Sequence, residues 1–179
     1  MLTNEEKKLC IKIIKESIGK KLNIIKDIIP CPENEIFKQS FGLFVTLTKQ
    51  GKLRGCIGYI KPYKELYQAL IDLAKAAAFQ DNRFRPVTNE EYEFLNIEIS
   101  ILSSLIEIKS KEEIQIGRDG LYIVHQMGSG LLLPQVATQY NMSNEEFLIQ
   151  TCHKAGLHPS MLSDKNIKIY RFEADIFSE

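Results

Sequence analysis

The 179-residue sequence predicts an α+β fold, a mainly antiparallel sheet packed by helices, on three observations. Two alternating runs rich in β-formers, FGLFVTLTKQGKLRGCIGYI and RDGLYIVHQMGSGLLLP, each broken by a short turn-forming stretch, have the form of hairpins. Three capping boxes, Thr3 with Glu6, Thr88 with Glu91 and Ser143 with Glu146, mark helix starts. Hairpins and helices interleave without the strict alternation of a doubly wound sheet.

Taken in order, the first helix follows Thr3 and carries an apolar stripe at Leu9, Cys10, Ile13, Ile14 and Ile18, with an end predicted near Gly19. IIPCPENEIF, with two prolines around Cys31, is a loop crossing into the sheet. In the first hairpin Cys56 falls on the second strand. Strict alternation there places Arg54, Cys56 and Gly58 on one face and Leu53, Gly55, Ile57 and Tyr59 on the other. YKELYQALIDLAKAAAFQ is a helix that buries Leu66, Leu70, Leu73 and Ala77, and its alanine-rich end predicts close packing. DNRFRPVTNEEYEF leads as a loop into a short helix, and LNIEISILSS is a strand with Leu95, Ile97, Ile99 and Ile101 on one face. The second hairpin is expected to turn at MGSG. Pro134 suits the first turn of the next helix, the helix after Ser143 stops at Gly156, and NIKIYRFEADIF closes the chain as one central strand. With no repeat, low-complexity tract or linker, residues 1–179 are expected to form a single domain.

Composition narrows the function classes. Apolar residues make up 44% and charged residues 26% of the chain, an ordinary globular balance, and no run approaches a membrane span. The charged N-terminus lacks the apolar run of a secretory signal, and the cysteines at 10, 31, 56 and 152 form no paired pattern, so a reduced cytoplasmic setting with free thiols is expected. Basic and acidic residues are equal at 23 each, which argues against nucleic-acid binding by phosphate neutralisation.

Among chemical motifs, no histidine or cysteine spacing suits a metal, no glycine pattern matches the dinucleotide or P-loop cradles, and no G-x-S-x-G elbow is present. MGSG reads as a flexible turn or an anion-binding nest. Cys56 has two readings. Arg54 on the same face could stabilise a thiolate while Gly55 and Gly58 give access, or Cys56 is a small packed residue and Arg54 pairs with a carboxylate. The loop with Asp81, Arg83, Phe84, Arg85 and Pro86 is either an anion clamp or a self-pinned turn. His125 is either a hydrogen-bonded core histidine or a general base.

The blocks FVTL, LRGCIG, AAAFQDNRFRPVT, IEISILS, DGL, LLLPQVA and CHKAGL, in that order between about Phe41 and Phe177, resemble the AMMECR domain family. In its prokaryotic form that family is the A component of the AmmeMemoRadiSam system. The resemblance implies a larger and a smaller lobe around a cleft, and association with a Memo-like protein and a radical SAM protein. It implies no particular reaction or cofactor. Arg54, Gly55, Cys56 and Gly58 match the hallmark motif, Asp81, Arg83, Phe84 and Pro86 match the D-x-R-F-x-P loop, and Pro134 and Gln135 match the L-P-Q block. The departures are Tyr59 for a smaller residue, the absence of an arginine in MGSG, and Leu162 where tryptophan is frequent. Two function classes follow. One is a small enzyme or enzyme component with Cys56 and Arg54 as catalytic candidates and Gly55, Gly58, Asp81, Arg83, Phe84 and Gln135 contacting a small molecule. The other is a non-catalytic module that docks to those partners.

Overall fold

The computed structural model describes residues 2–179. The elements in chain order are α1 (Asn4–Lys21), β1 (Gly42–Lys49), β2 (Lys52–Tyr59), α2 (Leu66–Phe79), α3 (Asn89–Tyr92) and β3 (Leu95–Leu102). There follow β4 (Ile106–Glu107), β5 (Gly120–His125), β6 (Gly128–Leu132), α4 (Pro134–Gln139), α5 (Asn144–Lys154), β7 (Lys168–Phe172) and β8 (Ala174–Ser178). They form the α+β fold with two four-stranded sheets, ordered β2-β1-β3-β8 and β4-β7-β5-β6. The chain falls into two compact units, the larger running to Leu102 and regaining Asp175–Glu179, the smaller spanning Ser103–Ala174. Among the described residues no helix is long and apolar enough to cross a membrane.

In the larger unit β1 is central and pairs antiparallel with β2 and β3. Leu43, Val45 and Leu47 of β1, with Ile97 and Ile99 of β3, join the core that α1 and α2 cover. All three predicted capping boxes form, at Thr3, Thr88 and Ser143. The first helix overruns its predicted end. Gly19 is buried where an added Cβ would lie 2.7 Å from the Tyr92 hydroxyl, and the chain turns instead beyond Lys21, with Asn23 at φ 60°.

The first hairpin turns through Gln50 and Gly51, both at positive φ as a type I′ turn requires. A β-bulge then breaks the expected alternation. Leu47 faces Gly55 while the next residue, Thr48, faces Leu53, so Arg54 is the extra residue and Leu53 moves to the face of Cys56. Gly55 meets a different demand, since a Cβ there would lie 2.1 Å from the Ala77 carbonyl oxygen, and its bare backbone admits the α2 helix.

The smaller unit corrects two expectations. The second hairpin turns at Gln126–Met127, because His125 pairs with Gly128 and the glycines of MGSG belong to β6. A Cβ on Gly128 would lie 2.2 Å from the Ala155 carbonyl oxygen and one on Gly130 would lie 2.3 Å from the Ala155 nitrogen, so these glycines seat the end of α5. The final apolar run is two strands. It divides at Glu173, with β7 beside β5 and β8 at the edge of the other sheet, so its apolar residues are shared between two sheets. Ser103 clamps the division: its N–H donates to the Glu173 carbonyl (2.8 Å) and its Oγ accepts from the Glu173 N–H (2.9 Å).

Two glycines of the same hairpin should respond differently to alanine. Gly55→Ala is expected to cost about 3 kcal/mol by overpacking against α2. Gly51→Ala meets no atom within 4 Å and is expected to cost only about 1 kcal/mol, for its φ of +73°. Urea unfolding of both variants checks the difference, and equal losses would remove the close-approach explanation.

Candidate functional site

Cys56 sits on β2, an edge strand, so one side of its main chain has no neighbouring strand. Asp81 and Arg83, in the turn after α2, fill that role. The Cys56 N–H donates to Asp81 Oδ2 at 2.9 Å, and Arg83 Nη2 donates to the Cys56 carbonyl at 3.2 Å. The two side chains are locked together, with Arg83 Nε 2.9 Å from Asp81 Oδ1 and Nη2 2.7 Å from Oδ2. The Asp81 side chain is only 3% exposed, and the Arg83 guanidinium, aided by the Cys56 and Arg83 N–H groups, holds its carboxyl far below the usual range. Phe84 lies under this pair, its ring centroid 5.5 Å from the guanidinium carbon.

Because both main-chain groups of Cys56 turn outward, it and Thr46 form a non-hydrogen-bonded cross-strand pair, the closer of the two antiparallel kinds. Thr46 Oγ1 accordingly stands 3.2 Å from Cys56 Sγ and donates to it. The sulfur belongs to a half-buried residue, unlike Cys10 and Cys152, which are buried. Burial pushes the Cys10 thiol up to about 12 and raises that of Cys152.

Arg54 does not address the thiol. From the bulge its Nε and Nη2 donate to Glu91 Oε1 (3.0 Å) and Oε2 (2.8 Å), and Lys49 Nζ adds a third contact at 2.7 Å. Its remaining nitrogen, Nη1, is buried without a partner, and the side chain is 14% exposed. The space above the two motif glycines is also taken, by the α2 backbone at Gly55 and by the Phe44 ring at Gly58, where a Cβ would lie 2.3 Å from the ring. Gln135 lies on α4 in the smaller unit, half buried with Oε1 unpartnered. His125 Nδ1 accepts the Met127 N–H at 3.3 Å, which steadies the hairpin turn, while Nε2 is buried without a partner.

Sequence reading missed Thr46 and Glu98. Glu98 stands opposite Thr46 on the far side of β1, so Cys56, Thr46 and Glu98 form one row across three strands. The alternation of LNIEISILSS marks Asn96, Glu98 and Ser100 as the face opposite the core, but nothing in the sequence says that β3 lies against β1. Among the described residues no group of three or more histidine, cysteine or carboxylate side chains could hold a metal ion. A hollow of about 870 Å³ in the larger unit, lined in part by Lys7, Ile11, Lys15, Ile25 and Phe177, contains none of the predicted site residues.

Arg54 and Lys49 draw the Glu91 carboxyl from 4.5 down to about 2. A depressed carboxylate contributes stability that is complete above the unfolded-state value and is lost as pH falls through the folded one. Glu91→Gln is therefore expected to lose about 2 kcal/mol at neutral pH. Its stability should also fall less steeply than the parent's between pH 4.5 and about 2, the window set by that shift. Urea midpoints across that range test this, and parallel curves would show that Glu91 carries no such linkage.

The AMMECR1 family model matches residues 7–177, which adds most of α1 to the span of the sequence motifs. A Methanothermobacter thermautotrophicus protein is 42% identical over 99% of this chain and 96% of its own length. One from Methanosarcina acetivorans is 39% identical over 100% and 94%. The crystal structure of uncharacterized protein PH0010 from Pyrococcus horikoshii superposes with a TM-score of 0.89 at 35% identity, covering 99% of this chain and 93% of that one. On this agreement of family model, sequence and fold, the chain belongs to the AMMECR1 family.

Proposed function

We propose that this protein is a small enzyme or enzyme component whose reactive group is the Cys56 thiol, presented on the face of the first sheet that carries Thr46. The supporting observation is how Cys56 is held. Its N–H, carbonyl and sulfur are each fixed by a separate side chain, Asp81, Arg83 and Thr46, while the residue stays half buried rather than sealed. Rigid placement of a reachable thiol is what nucleophilic or substrate-contacting chemistry needs. In this reading Thr46 orients the sulfur and Asp81 with Arg83 fixes the strand. Arg54 acts at one remove, by anchoring the bulge to Glu91.

A non-catalytic module that docks to a Memo-like or radical SAM protein is the second reading. It is favoured by Leu53, 44% exposed and brought by the bulge to the face of Cys56. Capture of either purified partner by a Cys56→Ser variant as well as by the parent would favour docking.

Site-resolved alkylation by iodoacetamide, read by mass spectrometry, tests the first reading. Cys56 is expected to react in the folded protein while Cys10 and Cys152 stay protected, and Thr46→Val should change the Cys56 rate severalfold without changing that of exposed Cys31. Protection of Cys56 until the chain unfolds would sink the proposal and leave the motif an architectural one.

A further inference from the structure

We propose that the hollow of about 870 Å³ in the larger unit is a binding site for a small uncharged aliphatic molecule. It lies against β8, at the opposite edge of the sheet from β2 and Cys56, so the inference is independent of the thiol reading.

Three pieces of chain build its walls. Helix α1 supplies Ile11, β8 supplies Phe177, and the segment after α1 supplies Ile24 and Ile25. Asn23, at positive φ, turns that segment back, and the N–H groups of Ile24 and Ile25 both donate to the Gly19 carbonyl, at 2.9 and 3.2 Å. Tyr92 closes the same side, its hydroxyl donating to the Lys15 carbonyl at 3.2 Å. Two ion pairs strap α1 to β8 and the residue after it, Lys7 to Asp175 at 2.6 Å and Lys15 to Glu179 at 3.9 Å. The residue midway between the straps is apolar on both elements, Ile11 on one and Phe177 on the other. Walls tied in this way stand ready before a ligand arrives, and the volume is that of a small-molecule site rather than of the broad contact a protein partner makes.

Charge decides the class of ligand. Each lining lysine already faces a carboxylate: besides the two straps, Lys8 lies 3.2 Å from Glu5 and Lys12 lies 3.8 Å from Glu16. A ligand carboxylate or ammonium would have to displace a partner that the fold supplies, and exposed ion pairs gain little by such an exchange. Glu93, in no ion pair among the described residues, is exposed to water, which screens it. What remains unsatisfied is apolar surface. Ile24 is 43% exposed, Ile11, Ile25 and Phe177 are half buried, and the lysine stems extend the same surface. Water there finds few partners, so an aliphatic chain that replaces it is favoured by every CH₂ it buries.

Straight-chain alcohols test this, read from the backbone amide resonances of Ile11, Ile25 and Phe177. Millimolar 1-octanol is expected to shift them saturably and to leave the amides of the smaller unit unmoved. Affinity should rise about threefold per CH₂ from 1-hexanol to 1-octanol. Octanoate and octylammonium, of equal length, should each bind about tenfold more weakly than the alcohol. Ile24→Asp sets a charge on the exposed wall, where the fold tolerates it, and should weaken 1-octanol binding about tenfold. Ile106→Asp, at a comparably exposed isoleucine of the smaller unit, should leave binding unchanged. Unmoved lining amides, shifts spread over both units, or tighter binding of either ion overturn the inference. A concentration-dependent dimer that Ile24→Asp dissolves would overturn it too, by making a second copy of the chain the occupant.

Discussion

The bond from Asp81 to the main chain of Cys56, doubled by Arg83 on the carbonyl, is the constraint on which the larger unit turns. An edge strand leaves N–H and C=O groups without partners, and proteins must cover them or risk pairing with another chain. Here a turn of three residues does what a further strand would do, supplying one acceptor and one donor at a single residue. That choice has downstream effects. It sets Cys56 and Thr46 as a close pair, brings sulfur and hydroxyl together, and ties the end of α2 to β2. The bulge at Arg54 then carries the strand toward α3, where Glu91 caps the helix and binds two cations at once.

The two units solve the same packing problem in the same way. Each has a hairpin with a two-residue loop whose first strand is flanked on its other side by a strand that follows the intervening helices. At the third pair from each loop stands a glycine, Gly55 opposite Leu47 and Gly130 opposite Ile123, and each lies against the C-terminal end of a helix. A side chain at either position would hold the helix off the sheet. The faces away from this contact have diverged. The row through Cys56, Thr46 and Glu98 corresponds to one through Leu131, Tyr122 and Tyr170, where the two rings stack at 6.1 Å. Polar chemistry in one unit is replaced by aromatic packing in the other.

Much of this was legible in the chain because its cues are local. Capping boxes, helix stripes and the first hairpin depend on residues within a few positions of each other, and the interleaving of hairpins with helices is enough for the fold class. What escaped depended on distant partners. Glycines 128 and 130 carry turn chemistry in sequence but answer to α5, and the last apolar run gives no sign that its halves join different sheets. Arg54 and Cys56, two apart, looked like neighbours on a face until one extra residue in the ladder turned the arginine to Glu91. The row containing Glu98 could not be read, because strand order is decided by which faces pack and not by any short stretch of residues.

The division of the closing strand at Glu173 makes the smaller unit an insertion in the chain of the larger, a guest in sequence between β3 and β8. Residues 103–174 leave after β3 and return to form β8 beside that same strand, and the Ser103 to Glu173 hydrogen bonds hold exit and entry together. A folded guest therefore presents its host with the equivalent of a short tether. An unfolded guest presents a long flexible one, whose closure entropy works against the last strand and the Lys7 to Asp175 ion pair that this strand carries. The host can thus feel whether its guest is folded through chain length alone.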